Sequence, residues 1–143
     1  MSEKELTGDT FSPGMPSAVV GLDRFREMVS EEMDLLPQIF FKELSGGVIV
    51  EEYAKPHPMR KADDLYIMGE YRRSYSMGKG IVLYYGSFAR NYGNYDEELM
   101  RTKIREVLRH EFRHHLEGMA GSRDLEIEDE VFLRKYLESH GVK

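Results

Sequence analysis

Two histidines spaced four residues apart, His110 and His114, are the side chains whose type and spacing predict chemistry most directly. They belong to residues 109–115, which contain the pattern H-E-x-x-H inside a long helical pattern. Residues four apart on a helix lie one turn above each other on the same face, so both imidazoles can reach one metal ion. The spacing therefore predicts a zinc site at these two histidines.

Glu111 follows the first histidine and is rotated by about 100° around the helix axis. It can therefore lie beside the metal and accept a proton from water. On a helical wheel the two histidines lie at the edge of an apolar sector, and Glu111 and His115 fall inside it. An unpartnered carboxylate is costly to bury. The position of Glu111 therefore predicts a functional cleft or a hydrogen-bonding partner.

The composition restricts which residues can complete a metal site. The 143 residues include five histidines and no cysteine, so a transition-metal site must be built from His, Asp and Glu. We expect His115 to be a core histidine or a neighbour of the ligands. His57, between two prolines, and His140, near the C-terminus, are expected in a loop and a tail.

The charge pattern indicates which partners to expect. The formal net charge is −6, and the 20 Lys and Arg are scattered among 26 Asp and Glu. This pattern argues against nucleic acid and favours a cationic or neutral substrate. No apolar run approaches the roughly 18 residues of a membrane span, and residues 1–17 lack the features of a secretory signal. We therefore expect a cytoplasmic protein without a nucleic-acid or membrane partner.

Apolar periodicity and turn residues predict an α+β fold. We expect a mobile tail over residues 1–20, where Gly and Pro are common and large apolar groups are few, followed by a single domain over residues 21–143. The expected elements are helices at residues 22–36, 94 or 96 to 118 and 125–137, and strands at residues 48–53, 65–75 and 81–85. Residues 54–62 are expected to be a loop and residues 118–121 a turn.

The segment from Met68-Gly69-Glu70-Tyr71 through residues 81–85 to His110-Glu111-x-x-His114-His115 resembles the small bacterial zincin-like metallopeptidases, or minimal zincins. The resemblance covers about residues 22–137, and the zinc helix is its most specific part. It implies a zincin-like fold, in which a small sheet of roughly three to four strands packs on an active-site helix with N- and C-terminal helices. It also implies that an edge strand, expected at residues 81–85, holds an extended peptide.

The chain departs from that family at the third ligand. The family pattern is H-E-x-x-H-H-x-G-x-x-D, but Glu117 and Ala120 stand at the Gly and Asp positions. Asp124 is the first candidate, because residues 121–124 repeat the G-x-x-D pattern about one turn later. Glu117 is the second, since it shares a helix face with the two histidines. Further alternatives, which also suit the start of the last helix, are Glu126, Glu128 and Asp129.

Together these features predict a zinc-dependent hydrolase, most directly a metallopeptidase acting on a peptide or protein substrate. Zn²⁺ would be held by His110, His114 and Asp124, with Glu111 as general base. One alternative is a non-catalytic zinc-binding interaction or regulatory domain, which a closed site with four protein ligands would indicate. Another is a metal-free domain whose tyrosines bind a partner. Candidate oxyanion donors are Tyr71, Tyr84, Arg109 and Arg113.

Overall fold

The computed structural model describes residues 18–58, 65–76, 78–122 and 126–140. Its elements are α1 (Leu22–Asp34), a 3₁₀ helix (Gln38–Phe41), β1 (Gly47–Glu51), β2 (Lys55–Pro56), β3 (Tyr66–Ile67), β4 (Gly69–Ser74), β5 (Gly78–Tyr84), α2 (Tyr85–Tyr92), α3 (Glu97–Gly121) and α4 (Ile127–His140). The α+β class predicted from the sequence is confirmed. No helix within these described ranges is long and apolar enough to cross a bilayer.

The main sheet has three strands in the order β1-β5-β4, and β2 and β3 form a separate two-stranded ribbon. Strand β5 pairs in parallel with β1 and antiparallel with β4. The expectation that residues 81–85 form an edge strand is therefore wrong. All four residues from Ile81 to Tyr84 are buried, and a strand with both faces covered belongs at the centre of a sheet. The edges are β1 and β4.

Helix α3 begins where the sequence predicted. The Asp96 carboxylate accepts the backbone N–H of Leu99 at 2.9 Å, so it caps the helix. The prediction of a turn at residues 118–121 is wrong, because α3 continues to Gly121. At its end the Ser122 hydroxyl donates to the Gly118 carbonyl at 3.0 Å. The extension makes α3 a 25-residue helix that packs against α1, α4 and β4.

Three elements were not predicted: the 3₁₀ helix, helix α2 and strand β2. Helix α2 follows β5 directly, and its first five residues are all buried. The ribbon strand β2 lies within the segment expected to be a loop, and the Lys55 amide donates to the Ser87 hydroxyl of α2 at 3.0 Å. A Cβ at Gly86 would meet the backbone of Tyr53 and Ala54, so glycine allows this close approach. The hydrogen bond from Lys55 to Ser87 and the close backbone contact at Gly86 hold the start of the ribbon against α2.

The core lies between the sheet and the helices. Phe25 of α1 makes edge-on ring contacts with Tyr85 and Phe88 at centroid distances of 5.1 and 4.9 Å. Phe40 contacts Phe112 of α3 at 5.6 Å in the same manner. Residues 1–17 of the predicted tail lie outside the described residues. At the end of that tail, Val20 is buried, and its carbonyl accepts a hydrogen bond from the Tyr85 hydroxyl at 2.7 Å.

Candidate metal centre and active site

A cleft of about 640 Å³ runs between α3 and strand β4. Its helix wall carries His110, Glu111, His114 and Glu117, its strand wall carries Gly69, Glu70, Tyr71 and Arg73, and the ribbon contributes His57 and Ile67. A Cβ at Gly69 would lie 2.8 Å from the Val107 Cγ1 atom, so the missing side chain lets β4 approach the helix closely. The fold therefore places the predicted zinc helix along one wall of an open groove.

The two predicted ligands meet in this cleft. His110 and His114 are both exposed, and their ring centroids lie 4.9 Å apart with the planes at 87°. His114 Nδ1 lies 3.7 Å from a Glu117 carboxylate oxygen. Over the described ranges, no three His, Asp or Glu side chains are already close enough to hold a metal. The pair fits zinc as two of the three protein ligands that a catalytic site uses.

The third ligand predicted first, Asp124, lies outside the described residues. Glu117, the second candidate, lines the cleft and is half exposed. Glu128 and Asp129 stand in the first turn of α4, where negative side chains complement the helix dipole. Glu128 and Asp129 therefore suit the role of acidic residues at the start of a helix. Among the described carboxylate alternatives, Glu117 is the one that lines the cleft.

Glu111 is buried, with 6% of its surface exposed. Burial raises the pKa of its carboxyl because it removes water from the charged form, and the negative charge of Glu70 acts in the same direction. His114 and the backbone N–H of Tyr71, which donates to the carboxylate, oppose this rise in pKa. Of the two alternatives that the sequence left open for Glu111, the structure provides a hydrogen-bonding partner, the backbone N–H of Tyr71. A carboxyl with a raised pKa is a better proton acceptor near neutral pH.

His115 is a core histidine, as predicted, and is 1% exposed. Its Nε2 lies 2.7 Å from the Lys42 carbonyl, and its Nδ1 lies 2.9 Å from the Tyr71 hydroxyl. A carbonyl only accepts, so we assign the ring proton to Nε2, and Nδ1 accepts the hydroxyl of Tyr71. Burial lowers the pKa of His115. Both ring nitrogens are therefore engaged in holding α3 to β4 and to residue 42.

The free edge of β4 faces the cleft. The Tyr84 amide donates to the Met68 carbonyl at 2.9 Å, and the β4–β5 register continues from that pair. In an antiparallel ladder, hydrogen-bonded and non-hydrogen-bonded pairs alternate. The amides and carbonyls of Gly69, Tyr71 and Arg73 therefore point away from β5. The bond from the Tyr71 amide to Glu111 agrees with this assignment.

The candidate oxyanion donors occupy different places. Tyr71 lines the cleft, but its hydroxyl is bonded to His115. Tyr84 is fully buried and donates to Glu70 at 2.6 Å. The Arg109 guanidinium lies 5.1 Å from the Tyr136 ring centre, against α4. Neither Tyr84 nor Arg109 is among the residues that line the cleft.

Three polar residues of the cleft were not predicted as functional candidates: His57, Glu70 and Arg73. His57 was expected in a loop, and it reaches the cleft because β2 pairs with β3. Glu70 is tied to Lys55 Nζ at 2.8 Å and to Tyr84. Burial alone would raise the pKa of Glu70. The two hydrogen bonds and the charges of Lys55 and Arg72 outweigh this effect, so the pKa of Glu70 lies below its usual value. None of these three locations depends on a local pattern that the sequence displays.

No family model and no curated protein matches the sequence. Among solved structures, the chain is similar to one described as a conserved hypothetical protein (TTHA0227) from "Thermo thermophilus". The TM-score is 0.60, the sequence identity is 34%, and the match covers 70% of this chain and 97% of that one. That description assigns no activity. With this identity over nearly the whole of the other protein, the chain belongs to the same family as this conserved hypothetical protein.

Proposed function

We propose that this protein is a zinc-dependent hydrolase, and specifically a metallopeptidase. The observation that carries the proposal is the pair of exposed imidazoles, His110 and His114, with ring centroids 4.9 Å apart in a cleft that also contains the carboxylate of Glu111. Zinc, when bound there, supplies the Lewis acidity that lowers the pKa of water and polarises a scissile carbonyl.

Glu111 is the general base in this proposal. Its carboxylate is held by the Tyr71 amide, and burial raises its pKa. It accepts the proton of the attacking water and then passes that proton to the nitrogen of the leaving amine. Glu117 lines the same cleft, with a carboxylate oxygen 3.7 Å from Nδ1 of His114.

The substrate binds along β4 in this proposal, and not along β5 as the sequence suggested. Outward-facing amides and carbonyls at alternate residues of β4 allow an extended peptide to pair as an additional strand. The peptide then lies along the free edge of β4, beside the cleft that contains His110, Glu111 and His114.

The test is a Glu111→Gln variant assayed for zinc content and for hydrolysis of a library of extended peptides. We expect zinc binding to persist and turnover to fall by about 10²–10⁴-fold, the usual contribution of general base catalysis. Glu98→Gln, an exposed carboxylate in the first turn of the same helix, is the matched control and should retain activity. Full hydrolysis by Glu111→Gln, or a wild-type protein that binds no zinc, would disprove the proposal.

A further inference from the structure

Helix α4 carries apolar side chains on two opposite faces. Leu133 and Leu137 are buried against the rest of the fold, whereas Ile127, Val131 and Phe132 are 79%, 44% and 51% exposed. A surface helix ordinarily keeps polar and charged residues on the face that is turned away from the core. The exposed face of α4 is therefore a candidate for contact with another molecule.

Two opposite charges lie along the centre of this exposed face. Glu128 and Lys135 are seven residues apart, so they are about two turns, or about 10.5 Å, from each other on the same line along the helix. Both are exposed, and Val131 and Phe132 lie between them, one on each side of that line. Within the described part of the chain, neither Glu128 nor Lys135 forms an ion pair.

The exposed face of α4 is complementary to itself. If two copies of α4 pack antiparallel about a twofold axis between residues 131 and 132, Glu128 of one copy lies opposite Lys135 of the other, because the two residues are equally far from the axis. The symmetry forms this charge pair twice and covers Val131 and Phe132 of both copies. A parallel arrangement would instead place like charges opposite each other, which is unfavourable.

The core holds this face of α4 in place. The Phe132 ring contacts the Tyr136 ring at a centroid distance of 6.3 Å, and Tyr136 in turn contacts Phe40 at 5.6 Å. On the opposite side of the helix, Leu133 and Leu137 are at most 1% exposed. A surface that is already ordered loses little conformational entropy when it binds a partner.

We propose that the exposed face of α4 binds a second copy of this chain as an antiparallel helix pair, with Val131 and Phe132 at its centre and reciprocal pairs between Glu128 and Lys135. The proposal is independent of the zinc site. A contact made by one helix of 14 residues from each copy is small for a protein interface. We therefore expect a dimer that dissociates on dilution.

The test is sedimentation equilibrium of the full-length protein between about 1 µM and 1 mM. Phe132→Gln should raise the dimer dissociation constant by about tenfold or more, because aromatic side chains at the centre of an interface contribute most to binding. Leu99→Gln is the matched control, since Leu99 of α3 is also 51% exposed, and it should leave the dissociation constant unchanged. Circular dichroism checks that each variant is folded.

Charge reversal tests the register of the helix pair. Glu128→Lys and Lys135→Glu should each raise the dissociation constant by about tenfold, because each replaces two attractive pairs with two repulsive ones. The double variant should return to within a few-fold of wild type. It keeps the same lysine near the helix start as Glu128→Lys, so its recovery would report the contact between copies and not the stability of α4. A wild-type monomer at all concentrations, charge variants that dimerise like wild type, or a double variant without recovery would overturn the proposal.

Discussion

The buried carboxylate of Glu32 connects α1 to the helix that carries the zinc site. It is 4% exposed, and it accepts two hydrogen bonds from Arg105, at 2.8 and 3.2 Å, and one from Arg101 at 3.3 Å. Burial alone would raise the pKa of Glu32, but the two arginines outweigh that effect and hold the pKa below its usual value. The ionised form therefore stabilises the folded protein.

Glu32→Gln should lower the free energy of unfolding by about 2 kcal/mol. Removing one partner of a fully buried ion pair costs roughly 3–5 kcal/mol. The loss is smaller here because the Arg105 and Arg101 side chains are 32% and 27% exposed and keep some water, and because Gln retains one acceptor. At about 4 °C per kcal/mol, the melting temperature should fall by about 8 °C.

The assay is urea unfolding of both proteins between pH 7 and pH 3. Because the folded pKa of Glu32 is depressed, its contribution is complete above the unfolded value, 4.5, and is lost as the pH falls through the folded pKa. The difference between wild type and variant should therefore be constant near neutral pH and shrink in acid. Glu31→Gln is the matched control, since Glu31 also binds Arg101 but is 51% exposed. An equal loss in both variants, or a pH-independent difference, would refute this reasoning.

Three further predictions concern the walls of the cleft and the contact between Gly86 of α2 and the backbone of residues 53 and 54. Tyr71→Phe leaves the buried Nδ1 of His115 without its hydrogen-bonding partner. The free energy of unfolding, measured by urea titration, should therefore fall by about 1–3 kcal/mol. Tyr75→Phe is the control, because Tyr75 is exposed, and it should have no effect. Gly86→Ala places a Cβ 2.5 Å from a backbone carbon of residue 53, so it should lower the free energy of unfolding by about 1–3 kcal/mol. Gly121→Ala is the control, because a Cβ there meets open space, and it should leave stability unchanged or increase it. Equal melting temperatures of the two variants would contradict this contrast. Peptides N-methylated at the residues that pair with β4 should compete poorly for binding, and unchanged inhibition by such peptides would argue against strand pairing.

Much of the local structure followed from the sequence. The four-residue spacing placed His110 and His114 on one helix face, and the apolar sector around Glu111 and His115 predicted that both would be buried. Asp96 was one of two predicted caps of α3, the other being Asn94, and the structure selects Asp96. These features depend on the period of the helix and on contacts within a few residues, so neighbouring residues are sufficient to predict them.

Strand order and the far wall of the cleft were decided by tertiary structure. The apolar run from Ile81 to Tyr84 shows that a strand is buried, but only its pairing with β1 and β4 makes it central and leaves β4 as the edge beside Glu111. His57 has no local signal of function, and it reaches the cleft through the β2–β3 ribbon and the contact of that ribbon with α2. Such contacts join residues far apart in the chain, so their formation depends on the packing free energy of the whole fold and not on any local pattern.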